Sequence, residues 1–181
     1  MAAARPPPSP REFQRAMLFI DGTNLFYRIE SKGLVVPQLS LIFPRFPILG
    51  GRQLARIYLY TIQEHVDRAL KRHGEMFLSE IRVVLGHGVP TKDGNVKEKG
   101  VDALLVADLV YHAASRNVDY TVLVSTDTDF VHAIRRVEDF GCRTAVVSIC
   151  GDVPVRLTEQ SDASFTITAE QLEEAGLAKR T

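Results

Sequence analysis

Arg15-Ala16-Met17-Leu18-Phe19-Ile20 runs directly into Asp21-Gly22-Thr23-Asn24, and this junction decides the fold. A continuous apolar run this short reads as a strand buried on both faces. Asp-Gly then breaks the run, and residues 25–31 read as a helix that ends at Lys32-Gly33. A buried strand that turns abruptly into a helix is the start of an α/β unit.

The same alternation continues along the chain. Residues 34–53 hold Pro37, Pro44, Pro47 and Gly50-Gly51 among apolar residues and are expected to form a long, partly packed loop. Arg56-Ile57-Tyr58-Leu59-Tyr60-Thr61 is a strand. Residues 65–79 are helical, with Val66, Leu70, Phe77 and Leu78 on the apolar side. Ile81-Arg82-Val83-Val84-Leu85 is a strand, and residues 87–98 read as a polar loop. Residues 101–115 form a helix, and Tyr120-Thr121-Val122-Leu123-Val124-Ser125 is the clearest strand in the chain. A helix over 127–140 closes at Gly141, a favoured residue just past a helix end. A strand over 144–149, a helical or irregular stretch over 153–160, a short strand Phe165-Thr166-Ile167 and a helix over 169–175 follow. The strands are apolar and β-branched rather than alternating, as strands covered on both faces should be. The expected fold is a three-layer α/β domain with a mostly parallel sheet of about five strands. Residues 1–14 are Pro-rich at their start and read as a disordered tail, leaving 15–181 as one domain.

Composition narrows the function. The chain has 181 residues, 45% of them hydrophobic, enough to bury a core. Lys and Arg number 22, as do Asp and Glu, so a bulk polycation for nucleic acid is excluded while a local basic patch is not. No apolar run approaches the roughly 18–20 residues of a membrane span. The first ten residues hold Arg5 but no apolar stretch, so no secretory signal is expected. Cys142 and Cys150 form no CxxC motif, which argues against a disulfide scaffold or a Cys-rich zinc site. A reducing, cytoplasmic setting is the default.

Ligands of an open parallel sheet bind at the carboxyl ends of its strands. Asp21 follows the first strand, with Asn24 three residues on. Asp127 and Asp129 follow the strand over 120–125. Asp102 sits at the start of the next helix, preceded by Lys99. Helices that follow strands begin at that same edge, so these acids converge. Any one of Asp21, Asp102 or Asp127 alone reads first as a helix cap. Three from separate segments at one edge read as a site. Clustered carboxylates repel one another, and a divalent cation removes that repulsion. Oxygen ligands of this kind suit Mg²⁺ or Mn²⁺ rather than zinc. Such an ion can bind a phosphate oxygen and activate water, while Lys99 offers a point charge to phosphate. Asp108 lies six residues beyond Asp102 and points away by about 120° on a helix, so a structural role weighs equally there.

Other candidates carry less. Ser125 and Thr126 lack a nucleophile-elbow motif and read as strand-end hydrogen bonders. The five histidines (65, 73, 87, 112 and 132) show no HxxxH spacing; His132 lies three residues after Asp129 but reads as a surface side chain. Cys142 and Cys150 read as small buried residues. No P-loop or dinucleotide fingerprint is present. Arg52, Arg56, Arg68, Lys71-Arg72, Lys97, Lys99 and Arg135-Arg136 scatter positive charge that could hold a phosphate backbone.

Three blocks now form a pattern. Met17-Leu18-Phe19-Ile20-Asp21-Gly22-Thr23-Asn24, Lys99-Gly100-Val101-Asp102 followed by Ala107-Asp108-Leu109, and Val122-Leu123-Val124-Ser125-Thr126-Asp127-Thr128-Asp129-Phe130-Val131 resemble, in order, the motifs of the NYN-domain family, and its LabA-like bacterial branch most. The resemblance runs from about residue 16 to 168. It implies a PIN-like sheet and a Mg²⁺- or Mn²⁺-dependent ribonuclease, in which Asp21, Asp102 and Asp127 hold the metal, Asp129 completes the acidic set, and Asn24 orients a carboxylate, water or phosphate. The implied partner is RNA, single-stranded above all, with substrate choice coming from this domain, an oligomer or a protein partner. Thr126 and Thr128 stand where the family often has Gly. A Cβ there restricts positive φ, so substrate approach is expected to differ.

Two other readings compete. Asp127-Thr128-Asp129-Phe130-Val131 also resembles the opening of haloacid-dehalogenase-like phosphatases, but no convincing downstream Lys and acidic pair follows. A Toprim-like reading lacks its Glu-Gly partner. The non-enzyme reading is a PIN-like scaffold that binds RNA or protein without cutting, against which the intact acidic set argues.

Overall fold

The computed structural model describes residues 14–92 and 96–180. The expected tail lies outside the described residues except for Gln14, whose carbonyl accepts a hydrogen bond from the Gln53 amide at 3.0 Å. The folded unit therefore reaches at least to Gln14.

In chain order the elements are β1 (Arg15–Asp21), α1 (Gly22–Ser31), β2 (Leu34–Val35), α2 (Ile42–Arg45), β3 (Gln53–Thr61), α3 (Gln63–His73), β4 (Arg82–Leu85), β5 (His87–Pro90), β6 (Val96–Lys99), α4 (Val101–Ala114), β7 (Tyr120–Val124), α5 (Val131–Asp139), β8 (Arg143–Ile149), α6 (Val155–Gln160), β9 (Ala163–Ile167), α7 (Ala169–Glu174) and β10 (Lys179–Arg180). The main sheet has the order β4-β3-β1-β7-β8-β9, and every pairing in it is parallel. Six strands agree with the expected sheet of about five. The sixth, β9, is faint in the sequence because it is an edge strand: exposed Ser164 and Thr166 alternate with its inward residues.

Alternation along β1 divides the core in two. Ala16, Leu18 and Ile20 face Leu25, Phe26 and Ile29 of α1 and Leu172 of α7. Met17 and Phe19 face Leu105 and Leu109 of α4 and Ile134 and Val137 of α5. Helices cover both faces, which makes the expected three layers.

Three local expectations need correction. The segment 34–53 is packed rather than loose: Leu34, Val36, Leu39, Ile42, Phe43 and Ile48 are all fully buried, and β2 pairs antiparallel with β10. Pro44 lies within α2 and Pro47 opens a 3-10 turn over Pro47–Leu49, so these prolines sit in short helical turns instead of opening a loop. Buried His73 pins it, its Nδ1 accepting from the Val36 amide at 3.2 Å. That bond requires a neutral ring, and burial, aided by Arg72, lowers the His73 pKa to about 4. Second, the expected loop over 87–98 contains the hairpin β5–β6, with Gly88 opposite Glu98. Third, the helix expected over 127–140 starts as a 3-10 turn at Thr128–Phe130 and becomes α5 only at Val131. Similarly, α3 ends at His73, where Gly74 turns the chain with φ 102°, and Phe77 enters the core from the turns beyond it.

The burial of Phe43 gives a direct check on the first correction. Phe43→Ala is expected to lower unfolding stability by about 3–5 kcal/mol in urea titration, as for an aromatic removed from a core. A loss within ~0.5 kcal/mol, the range of surface substitutions, would return the segment to a loop.

Candidate active site

β1 and β7 are neighbours, and their register pairs Ile20 with Val124. The next residues, Asp21 and Ser125, meet at the carboxyl edge of the sheet. Ser125 Oγ donates to Asp21 Oδ2 at 2.8 Å and accepts from the Asp127 amide at 3.0 Å. Asp21 Oδ1 accepts from the Asn24 amide at 3.1 Å and so caps α1. Gly22 is dictated by packing, since a Cβ there would lie 2.7 Å from the Tyr60 carbonyl.

Asp21 is 6% exposed. Burial raises its pKa to about 6, Asp102 and Glu98 push the same way, and the hydrogen bonds from Asn24 and Ser125 pull back. Asp102 lies in the first turn of α4, but Gly100, at φ 79°, takes the cap position. Burial raises the Asp102 carboxyl above its usual range, and Glu98, Asp127 and Asp129 add to the rise. Asp127 Oδ1 accepts from the Asp129 amide at 2.9 Å and caps the 3-10 turn; Asp129 itself is exposed. The acids expected to converge do share one electrostatic field. Asp21 and Asp127 serve as caps at the same time.

Glu98 is an acid the sequence did not single out. Set between two lysines in an apparent polar loop, it had no strand to locate it. The hairpin brings its Oε2 to the Thr23 hydroxyl, which donates to it, and 3.9 Å from His65 Nδ1. His65 Nδ1 also lies 3.2 Å from Thr23 Oγ1 and 3.3 Å from Thr61 Oγ1. Burial, and then Arg68, hold His65 below its usual pKa.

The remaining candidates divide. Asp108 turns away from the site and accepts from Tyr60 Oη at 3.0 Å, a core-side role. Lys99 ends β6, exposed, three residues before Asp102. Asn24 Nδ2 donates to Thr126 Oγ1 at 3.0 Å. Neither Thr126 nor Thr128 has positive φ; among the described residues only Glu80, Arg116 and Cys150 do outside glycine. The threonines therefore carry no positive-φ strain, and Thr126 contributes its hydroxyl. His132 is exposed on α5. Cys142 and Cys150 are free and buried, and burial pushes each thiol up to about 11.

The donor chemistry of the edge fits a hard divalent cation. Asp21, Asp102, Asp127 and Asp129 make no ion pair with Lys or Arg among the described residues, and the rises at Asp21 and Asp102, owed first to burial, are increased by neighbouring carboxylates. Among the described residues no three His, Cys, Asp or Glu side chains are drawn together closely enough to cage an ion alone. Mg²⁺ does not require such a cage, because it commonly takes one or two carboxylates and completes its shell with water and substrate phosphate.

A fully parallel, helix-covered sheet with unpaired aspartates from three segments at its carboxyl edge defines a PIN-like α/β domain. The NYN domain model matches residues 15–176. The chain belongs to the NYN family, a family of PIN-like nucleases that typically use divalent metals. A crystal structure of a protein of unknown function from Vibrio parahaemolyticus shares the fold, with a TM-score of 0.64 and 17% identity over 90% of this chain and 98% of that one. A candidate oxidoreductase from Parabacteroides merdae aligns at a TM-score of 0.32 and 12% identity over 85% of this chain and 31% of that one, too weakly to carry an argument. No curated protein matches the sequence. Among the described residues no helix is long and apolar enough to cross a membrane.

The raised pKa of Asp21 has a signed consequence. Its folded value, about 6, exceeds the unfolded 3.8, so folding favours the protonated carboxyl, and stability is lost as pH rises through 6. Asp21→Asn keeps a cap acceptor and cannot ionise. It is expected to stabilise the fold by up to about 3 kcal/mol at neutral pH, read as a higher Tm, with the gain fading as pH falls from about 6 towards 4. An unchanged or lower Tm at neutral pH would show that the buried charge is compensated.

Proposed function

We propose that this chain is a ribonuclease of the LabA-like bacterial branch that hydrolyses phosphodiester bonds in single-stranded RNA with the help of Mg²⁺ or Mn²⁺. Residues 15–181 would act as one catalytic domain in the reducing cytoplasm, a setting that suits two free buried thiols. The observation that carries the reading is the set of aspartates from β1, α4 and the β7–α5 junction, left without cationic partners in one shared field. A scaffold that only binds gains nothing from acids turned towards phosphates.

Asp21, Asp102 and Asp127 would offer the ion its carboxylate ligands, with water and substrate phosphate completing the shell, and Asp129 would complete the acidic set. A divalent cation bound there would supply charge to offset the phosphate and would lower the pKa of a water. The chain supplies the rest. Ser125 and the Asn24 amide fix both oxygens of Asp21, so its carboxylate needs no reorganisation as substrate arrives. Asn24, held through Thr126, presents an amide beside the acids. Lys99, exposed near the start of α4, offers charge to an incoming phosphate. Membership of the NYN family sets the phosphatase reading aside.

The deciding experiment is cleavage of a labelled single-stranded RNA in Mn²⁺, Mg²⁺ or EDTA by wild type and by Asp127→Asn. Metal-dependent cutting is expected, reduced about 100-fold or more in the variant, since even partners one step removed from a metal are worth about 10–100-fold. Mn²⁺ should also raise the Tm of the wild type by mass action, and of the variant much less. Equal cutting by both proteins would misplace the site; no cutting by either, with Tm indifferent to metal, would favour the binding scaffold.

A further inference from the structure

The side of α1 turned away from the core holds more polar machinery than the aspartates use. Leu25, Phe26 and Ile29 are the buried side. At about 100° per residue, Thr23, Asn24, Tyr27, Arg28 and Ser31 fall on the opposite one. Asn24, Arg28 and Lys32 stand four residues apart, a single ridge that starts at the aspartates and leads outward. Glu30, the acid of this helix, lies off the ridge and pairs with Arg68 of α3 at 3.5 Å.

Arg28 stands out in this ridge. Its Nε and Nη2 both donate to Thr126 Oγ1, at 3.1 and 2.6 Å, and the same hydroxyl accepts from Asn24 Nδ2. Thr126 is neutral, and among the described residues Arg28 has no carboxylate partner. A guanidinium carries five N–H donors in a rigid fork. The hydrogen bonds of the fork within the described protein run through Nε and Nη2 and leave Nη1 without one. The fork lies against Gly151, where a Cβ would stand 1.8 Å from Nη1. The arginine is thus held in place beside Asn24 without being neutralised. A half-buried cation of this kind lacks an anion, and the fork matches phosphate in a bidentate fashion. Lys32, Arg28 and Arg180 act electrostatically on nearby Cys150 and Glu170 opposes them; Glu170 is paired with Arg180, so Lys32 and Arg28 remain as the positive charge of the ridge. Tyr27, 72% exposed, presents an open ring beside them, and aromatic faces stack on unpaired bases.

We infer that the exposed face of α1 is the track for the RNA strand: Arg28 grips the phosphate next to the one being cut, Lys32 meets a further phosphate, and Tyr27 stacks on an unpaired base. This rests on the nuclease reading, since it takes the aspartates as the cutting centre. Thr126 and Gly151 are positioning residues, the first by holding the fork and the second by leaving it room.

Binding of a labelled single-stranded oligoribonucleotide in EDTA, followed by fluorescence anisotropy across a salt series, tests the track separately from cutting. Arg28→Gln should weaken binding about tenfold or more. It should also flatten the dependence of log K on log salt by about 0.7, the share of one phosphate on a single strand. Gly151→Ala should weaken binding with Arg28 still present, Tyr27→Ala should weaken it, and Tyr27→Phe should not. Arg143→Gln, the same charge change at the exposed start of β8, the end of the sheet away from the aspartates, should leave it unchanged. Tm of each variant reports the fold; if Arg28→Gln is unfolded, Gly151→Ala and Tyr27→Ala decide the matter. A wild type that cuts RNA while Arg28→Gln and Tyr27→Ala bind as well as it does overturns the track and leaves the nuclease standing. A wild type that neither binds nor cuts RNA overturns both.

Discussion

The hydrogen bond from Ser125 to Asp21, 2.8 Å across the carboxyl edge of β7 and β1, is the contact on which the rest of the site depends. It exists because Ile20 pairs with Val124. A slip of one residue would turn every side chain of the strand to the opposite face, breaking both cores and carrying Asp21 away from the edge. Register is therefore enforced by the apolar alternation of β1, and the site inherits its precision from the core. The same serine also receives the Asp127 amide, so one hydroxyl ties together the first and third acidic segments.

The acids at this edge oppose the stability that the core supplies. Asp21 is buried, and its ionisation is resisted by burial and by Asp102 and Glu98. A buried carboxylate left without a cationic partner in this way costs stability wherever it ionises. The fold tolerates these acids because it buries apolar surface on both sides of the sheet, including the segment between β2 and β3. That segment, with His73 pinning Val36, widens the core on the α1 side of the sheet.

Thr126 shows how a departure from a family pattern can be read. Judged by backbone freedom alone, a threonine in place of glycine restricts the site. In the structure it adopts no positive φ, and its hydroxyl becomes the meeting point of Asn24 and Arg28. A glycine at position 126 would supply no such acceptor. At Gly151 the relation is reversed, because there the missing side chain makes room for the guanidinium.

The α/β class, the buried strands and the placement of Asp21, Asp102, Asp127 and Asp129 at one edge were all legible in the sequence. Each rests on local patterns: apolar runs of strand length, glycine and aspartate at strand ends, and the rule that helices after parallel strands begin at the ligand-binding edge. Asp108 was left undecided because helical phase shows direction but not partner, and Tyr60, 48 residues away, settled it. Glu98 and Arg28 were missed for a related reason. A charged residue between lysines, or on the exposed face of a short helix, looks like ordinary solvated surface until the chain around it is folded. Only the pairing of β5 with β6 brought Glu98 to Thr23, and only the adjacency of β1 and β7 set Thr126 against Arg28. Periodicity is written within ten or so residues, whereas the partners of a polar side chain are chosen by contacts about a hundred residues apart, and those exist only once the sheet has closed.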